Sequence, residues 1–228
     1  MTLKKTIYYK DPILNLSLIV ISGMIECYTY LNYSIFASAQ TGNMILFALS
    51  IHSNHWAVVK KILIVNFCFI IGTIIATLLK HSFDKNWLPL CFLYVETLLF
   101  LVLLFLPKSI VKLSLIAFID TFQLCFFNYL KGYSYNSFFI TGDLKQFATA
   151  IATYLLAPSK AKKEKMFQLG MIPIAFCLGA YIYLKLRDLF TDCFTIFLSL
   201  FIVTIISSFS FWNDLLQERK SKSDRLSS

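Results

Sequence analysis

The sequence predicts an all-α integral membrane protein. It would have about six transmembrane helices plus two short Thr-Gly-interrupted segments, broken or re-entrant, arranged as two internal repeats. Three observations carry that prediction. Of 228 residues, 58% are apolar and only 14% charged, where a soluble domain carries about 25% charged residues. The charges are segregated, so that long runs contain almost none. The element Thr-Gly-(Asn/Asp) occurs twice, at 41–43 and 141–143, each time inside an apolar stretch.

A helical span needs roughly 20 apolar residues to cross the hydrocarbon. Runs of that kind occupy 13–33, 56–79, 87–106, 110–130, 166–184 and 193–212. The first resembles a signal peptide, with Ala37-Ser38-Ala39 mimicking a cleavage site. Its apolar stretch is too long, however, Glu26 interrupts it, and Ala39 lies far beyond, so it is expected to remain as a span. Two further stretches, 35–51 and 136–157, carry the Thr-Gly interruptions. Trp56, Trp87 and Trp212 stand near span ends, as interfacial anchors do. The polar tail is too short for a domain and is expected to be mobile.

The net charge of +9 raises the question of nucleic acid, but the basic residues flank apolar spans. Lys4, Lys5 and Lys10 precede the first span, Lys160, Lys162, Lys163 and Lys165 fill one connection, and Arg219, Lys220, Lys222 and Arg225 form the tail. Such clusters mark the cytoplasmic side. If all eight segments cross, 15 Lys and Arg lie inside against 5 outside; if the Thr-Gly segments return, the split is 14 against 6. Both counts put both termini in the cytoplasm, so charge does not decide the number of crossings.

Laying TGNMILFALSI (41–51) over TGDLKQFATAI (141–151) matches five of eleven positions. The Phe, Ala and Ile matches come cheaply in apolar sequence; the paired Thr-Gly-(Asn/Asp) is informative. The chain divides near Pro107 into a first membrane repeat (1–107), a second (108–212) and a basic cytoplasmic tail (213–228). Three crossings and a re-entrant element per half would make the repeats inverted, which the short, polar first Thr-Gly segment favours over four crossings. Internal repeats are common in secondary transporters, with the binding site at their interface.

Each motif is expected to start a helix, with Thr41 and Thr141 as N-caps. Gly42 and Gly142 would permit a sharp turn or a close backbone approach. A helix start inside a bundle offers free N–H donors to an anion or a carboxylate, although tight helix packing through the two glycines explains the same residues. Glu26, Glu96 and Asp120 lie well inside apolar spans, where an ionised carboxylate costs about 2.5–3.5 kcal/mol on insertion scales. Such groups face a cavity, hold a partner or carry a proton, so these three are the proton-coupling candidates. Lys145 is expected either to meet Asp120 or Glu96 or to reach the interface. The substrate-binding candidates are Glu26, Gln40, Thr41, Gly42, Asn43, Gln123, Thr141, Gly142 and Asp143. Asn66 and Asn128 add neutral donors and acceptors.

Other chemistries lack their residues. The six cysteines lie in or near apolar spans with no C-x-x-C pair and read as small buried apolar side chains. His52 and His55 without a third ligand make no metal site, and no cofactor is indicated. No P-loop, G-x-S-x-G, H-E-x-x-H or dinucleotide fingerprint appears, and an enzyme is not expected.

SGMIECYTYL followed by IFASAQTGN resembles the G-[YF]-[VI]-D-A…F-x-x-x-x-T-G-N signature of the YoaK family of bacterial membrane proteins. AFIDTFQLCFF (117–127) is similar to that family's A-F-x-x-G-x-Q-N-A span, and SFFITGDL (137–144) to its T-x-F-x-T-G-x-L segment. Glu96 falls where members tend to carry glutamate. The departures are Glu26 for aspartate, Cys27 for alanine, Thr121 for glycine and Leu124 for asparagine. The resemblance implies a bacterial inner-membrane protein of about six spans without a settled biochemical role. The repeats, the paired helix breaks and the buried carboxylates make the expected function a small secondary transporter or permease for a small polar solute, with proton coupling as an option. A non-transporting scaffold or accessory subunit is the alternative. The bilayer is the expected partner, nucleic acid is not, and a homo-oligomer is left open.

Overall fold

The fold begins from three local stops and starts that the sequence supplies. Asp11 accepts from the N–H of Ile13 at 2.8 Å ahead of Pro12 and opens α1, Pro12–Tyr33. Ser109 accepts from Lys112 N at 3.2 Å and opens α5, Ile110–Phe126. Ser159 does the same for Lys162 and opens α7, Lys160–Leu186. Each such cap is worth about 1 kcal/mol. The remaining helices are α2, Gln40–His52; α3, Trp56–Ser82; α4, Leu88–Leu104; α6, Ile140–Leu156; and α8, Phe194–Leu226. A two-stranded antiparallel ladder, β1 (Tyr129–Leu130) and β2 (Tyr133–Ser134), completes the structure, a computed structural model that describes residues 11–83, 87–130, 133–134, 140–190 and 193–226. Lys4, Lys5 and Lys10 and the start of the second Thr-Gly segment (136–139) lie outside those residues.

Among the described residues, α1, α3, α7 and the 194–213 part of α8 are long and apolar enough to cross a membrane, and α4 is a shorter apolar helix. With a rise of about 1.5 Å per residue, α2 with 13 residues reaches about 20 Å, and α4, α5 and α6 with 17 each about 25 Å, against roughly 30 Å of hydrocarbon, so length alone singles out α2. Large apolar side chains point outward along α3 (Phe67, Ile70, Ile74) and α8 (Phe201, Ile205, Phe209). Water would not tolerate that surface; lipid does.

The centre is made by α1 and α5. Leu18, Ile21, Met24, Ile25 and Tyr28 from α1 join Leu113, Ile116, Ala117 and Phe126 from α5 in the main buried cluster, and Phe100 of α4 and Leu200 of α8 close it. A smaller cluster links Ile19 of α1 to Ala150 of α6 and to Leu169 and Ile172 of α7. The main pairings are α1 with α7 and α3 with α5, α2 with α3 and α6 with α7, α1 with α8 and α4 with α5, and α4 with α8. Shifting each helix number by four exchanges the members of the first three pairs and returns α4 with α8 to itself. The two longest crossings are glycine contacts. A Cβ on Gly23 of α1 would strike the carbonyl of Phe176, and one on Gly179 of α7 the carbonyl of Val20. A Cβ on Gly72 of α3 would lie 2.6 Å from the carbonyl of Phe118 and 2.5 Å from Thr121 Oγ1. Close backbone approach of this kind is what holds helices together where burial from water gives no drive.

Several expectations change. The fifth run ends as a helix at Phe126, because the chain turns into the ladder at Tyr129. The tail continues α8 to Leu226 rather than leaving the helix at Trp212. Cys193 is buried, but Cys91 and Cys177 are exposed on apolar helices, so those two thiols are not core residues.

Candidate functional site

The site grows from the irregular stretch between α1 and α2. After Tyr33 the chain reverses at Ser34, which adopts φ 57 and donates its N–H to Tyr30 O at 2.8 Å. Residues 35–39 then run back along α1, with Ile35, Ala37 and Ser38 fully buried. Backbone without helix or sheet bonds must find other partners when water is excluded. Here four consecutive N–H groups find side chains. Phe36 N donates to Asn43 Oδ1 (2.9 Å) and Ala37 N to Thr29 Oγ1 (3.3 Å). Ser38 N and Ala39 N both donate to Glu26 Oε1, at 2.7 and 3.1 Å. The carbonyls are held too: Asn43 Nδ2 donates to Phe36 O (2.8 Å) and Gln40 Nε2 to Ala37 O (3.0 Å).

Thus Glu26, Gln40 and Asn43 are brought together as staples of one helix break. The free N–H donors expected at a helix start are met by a carboxylate of the chain itself. Thr41 is not the cap: α2 starts at Gln40, its N-cap is Ala39, and Thr41 is exposed in the first turn. A Cβ on Gly42 would lie 2.9 Å from the ring of Phe36, so that glycine makes room for the break's own aromatic side chain.

The break is tied to the other half by Ser38, whose hydroxyl donates to Asp120 Oδ2 of α5 at 2.9 Å. Gln123, one turn further along α5, donates to Leu18 O (3.0 Å) and Ser22 Oγ (2.9 Å) of α1. Glu96 of α4 is buried, and both it and Glu26 are close enough to Asp120 to interact with it electrostatically. All three carboxyl groups are at most 3% exposed. One oxygen of each, Glu26 Oε2, Glu96 Oε1 and Asp120 Oδ1, is buried without a hydrogen-bond partner, as is Gln123 Oε1. Among the described residues none of the three carboxylates carries an ion pair, and no group of three His, Cys, Asp or Glu could hold a metal ion. The arrangement can therefore hold protons or accept from a donor-rich group.

The second motif lies in the first turn of α6. α6 starts at Ile140, Thr141 and Gly142 are exposed in its first turn, and Asp143 is buried there. Thr141 is thus inside the helix rather than its cap, and a Cβ on Gly142 would meet no described residue within 4 Å. Lys145 is exposed and makes no ion pair among the described residues, so the expected contact with Asp120 or Glu96 is absent. The buried lysine is instead Lys112, which donates to Leu106 O at 3.3 Å and lies 5.9 Å from the Tyr28 ring centroid. Sequence reasoning missed Ser38 and Thr29, two small hydroxyls in apolar company. Their signal was position: Ser38 sits two residues before the Gln-Thr-Gly run, and Thr29 one turn after Glu26.

Neither a curated protein nor a solved structure matches the chain. A family sequence model described as "Protein of unknown function (DUF1275)" matches residues 14–208, a stretch that contains both Thr-Gly motifs and all three buried carboxylates. The chain belongs to that family, the YoaK family of membrane proteins.

Proposed function

We propose that the protein is a small secondary transporter or permease for a small polar solute, coupled to protons through Glu26, Asp120 and Glu96, and not an enzyme. In this reading the bundle is two repeats, 1–107 and 108–212, each with three crossings and a Thr-Gly element. The helix pairings that exchange under a shift of four support it. Charge asymmetry supports a bacterial inner membrane with both termini, and the 213–228 tail, in the cytoplasm.

One observation carries the proposal. A single carboxylate oxygen holds two backbone N–H groups of the break, and the next side chain bridges to a second carboxylate in the other half. Hydrogen bonds to an ionised carboxylate are about twice as strong as neutral ones. Protonating Glu26 loosens both of its bonds at once and slackens the only polar strap that Ser38 makes to Asp120. A proton thereby changes the hold on a non-helical segment, the element that solute sites in transporters are built from. Thr41, Thr141, Gly142 and Asp143 remain solute-facing candidates at the two helix starts.

The scaffold reading has its own observation: Gln40 and Asn43 are consumed by the backbone beside them and leave little for a solute. Charge movement in proteoliposomes on a supported membrane separates the two. Pools of small polar metabolites should evoke a current in wild type that Glu26→Gln abolishes while remaining folded. An unaffected current in that variant would remove Glu26 from the pathway. Silence in wild type with a stable co-purifying membrane protein would establish the scaffold.

A further inference from the structure

Away from the carboxylates, α1 and α7 run parallel: Leu16 faces Met171, Ile19 packs near Ile172, and Tyr28 meets Tyr183 at 6.0 Å between ring centroids. The glycine crossing at Gly23 and Gly179 brings them to backbone contact. Towards their N-termini they part, and a cavity of about 800 Å³ opens between them. Its α7 wall is one helix face, with Lys160, Lys163 and Glu164 at the outer end and Phe167, Gln168 and Met171 following at three- and four-residue steps. Polarity thus falls along the wall from charged to apolar, and Pro12 and Leu16 complete the apolar side from α1. Gln168 Oε1 is buried there with no hydrogen-bond partner.

We propose that this wedge binds an anionic glycerophospholipid whose headgroup carries a hydroxyl donor, such as phosphatidylglycerol. The phosphate sits between Lys160 and Lys163, near the free N–H end of α7. The headgroup hydroxyls donate to Glu164 and, once its amide turns toward the cavity, to the unpartnered Gln168 oxygen, which a headgroup bearing only phosphate would leave unmet. The upper acyl chain lies over Leu16, Met166 and Met171, and the rest of the lipid continues into the bilayer. Basic pockets between membrane helices recognise anionic headgroups on the cytoplasmic face, the face to which the Lys160–Lys165 cluster is assigned by charge. The inference is independent of transport.

The test is native mass spectrometry of the full chain in detergent, titrated with dioleoyl phosphatidylglycerol or dioleoyl phosphatidylcholine. Wild type should retain one phosphatidylglycerol in preference to phosphatidylcholine. Lys160→Ala/Lys163→Ala should weaken retention about 30-fold, from the typical contribution of two lysines near an anionic lipid. Leu16→Trp, which fills the apolar end and leaves the lysines in place, should also lower retention. Lys60→Ala/Lys61→Ala, on exposed lysines of α3, should leave it unchanged. Equal retention of the two lipids, or wild-type retention by the Lys160/Lys163 variant, would overturn the proposal. Displacement of the lipid by equimolar inorganic phosphate would overturn it too, by showing a phosphate site without a lipid site.

Discussion

The two Thr-Gly elements share a motif and, among the described residues, differ in how exposed it is and in what lies beside its glycine. At the first, residues 36–39 give every backbone N–H to a side chain, Gly42 lies under the Phe36 ring, and Asn43 closes the loop on Phe36 from both sides. At the second, Thr141 and Gly142 are exposed, Asp143 is buried, no described residue lies within 4 Å of a Cβ on Gly142, and α6 packs along α7. Aligning Ser22–Cys27 (SGMIEC) with Asp120–Cys125 (DTFQLC) puts Leu124 where the first half has Glu26. Leucine accepts no hydrogen bond, so the second half has no carboxylate at that position to staple a break. Asp120 falls opposite Ser22 in the same alignment and faces the first break instead. Glu26 from the first half and Asp120 from the second thus both bond the first break.

The same alignment pairs Gly23 with Thr121 and sharpens the comparison at the helix crossings. The α1–α7 crossing has glycine on both helices, while the α3–α5 crossing has glycine only on α3. Gly179→Leu should therefore have the largest effect of any single change, since even its first carbon meets the Val20 backbone. Loss of monodisperse protein in size-exclusion chromatography is the expected readout. Gly72→Ala should cost less, about 1–3 kcal/mol as overpacking, because Thr121 Oγ1 can rotate while the Phe118 carbonyl cannot. A Gly179→Leu protein as stable as wild type in thermal unfolding would break the packing account.

Substitutions at the breaks come next. Glu26→Leu leaves two buried N–H groups without an acceptor, at about 1–3 kcal/mol each. Glu26→Gln keeps a carbonyl oxygen there and should lose only about 1 kcal/mol in stability, which makes it the clean probe of function. Asn43→Ala removes both bonds to Phe36 and should cost about 2–3 kcal/mol; thermal unfolding in one detergent ranks the three. At the other end, Gly142→Ala should be neutral or stabilising by up to about 1 kcal/mol, since alanine is the better helix former and has open space. A destabilisation of Gly142→Ala equal to that of Asn43→Ala would erase the contrast between the two elements.

Much of this was legible in the sequence, and the rest has identifiable causes. The apolar runs give the helices because lipid demands uninterrupted backbone bonding, and the three buried carboxylates were visible as charges in apolar runs. The cap at Thr41 was misplaced because a local rule, hydroxyl to the first turn, was overridden by Glu26, which lies twelve residues before Ser38; Thr141 falls inside α6, which already begins at Ile140. Long-range acceptors leave no spacing signature. Lys145 drew attention by standing in an apolar stretch, yet it faces outward, whereas Lys112 near a helix start is folded inward over Tyr28. Which side of a helix faces the bundle depends on its packing partners, and an apolar helix carries almost no pattern to reveal that.

The central claim is that the first break, through Glu26, is where the protein handles a proton. Charge displacement evoked by a pH step across proteoliposomes tests it most directly, with wild type, Glu26→Gln and Asp143→Asn compared at equal folded protein. The account predicts displacement in wild type, its loss in Glu26→Gln and its retention in Asp143→Asn. An undiminished signal in Glu26→Gln, or equal loss in both variants, would contradict it.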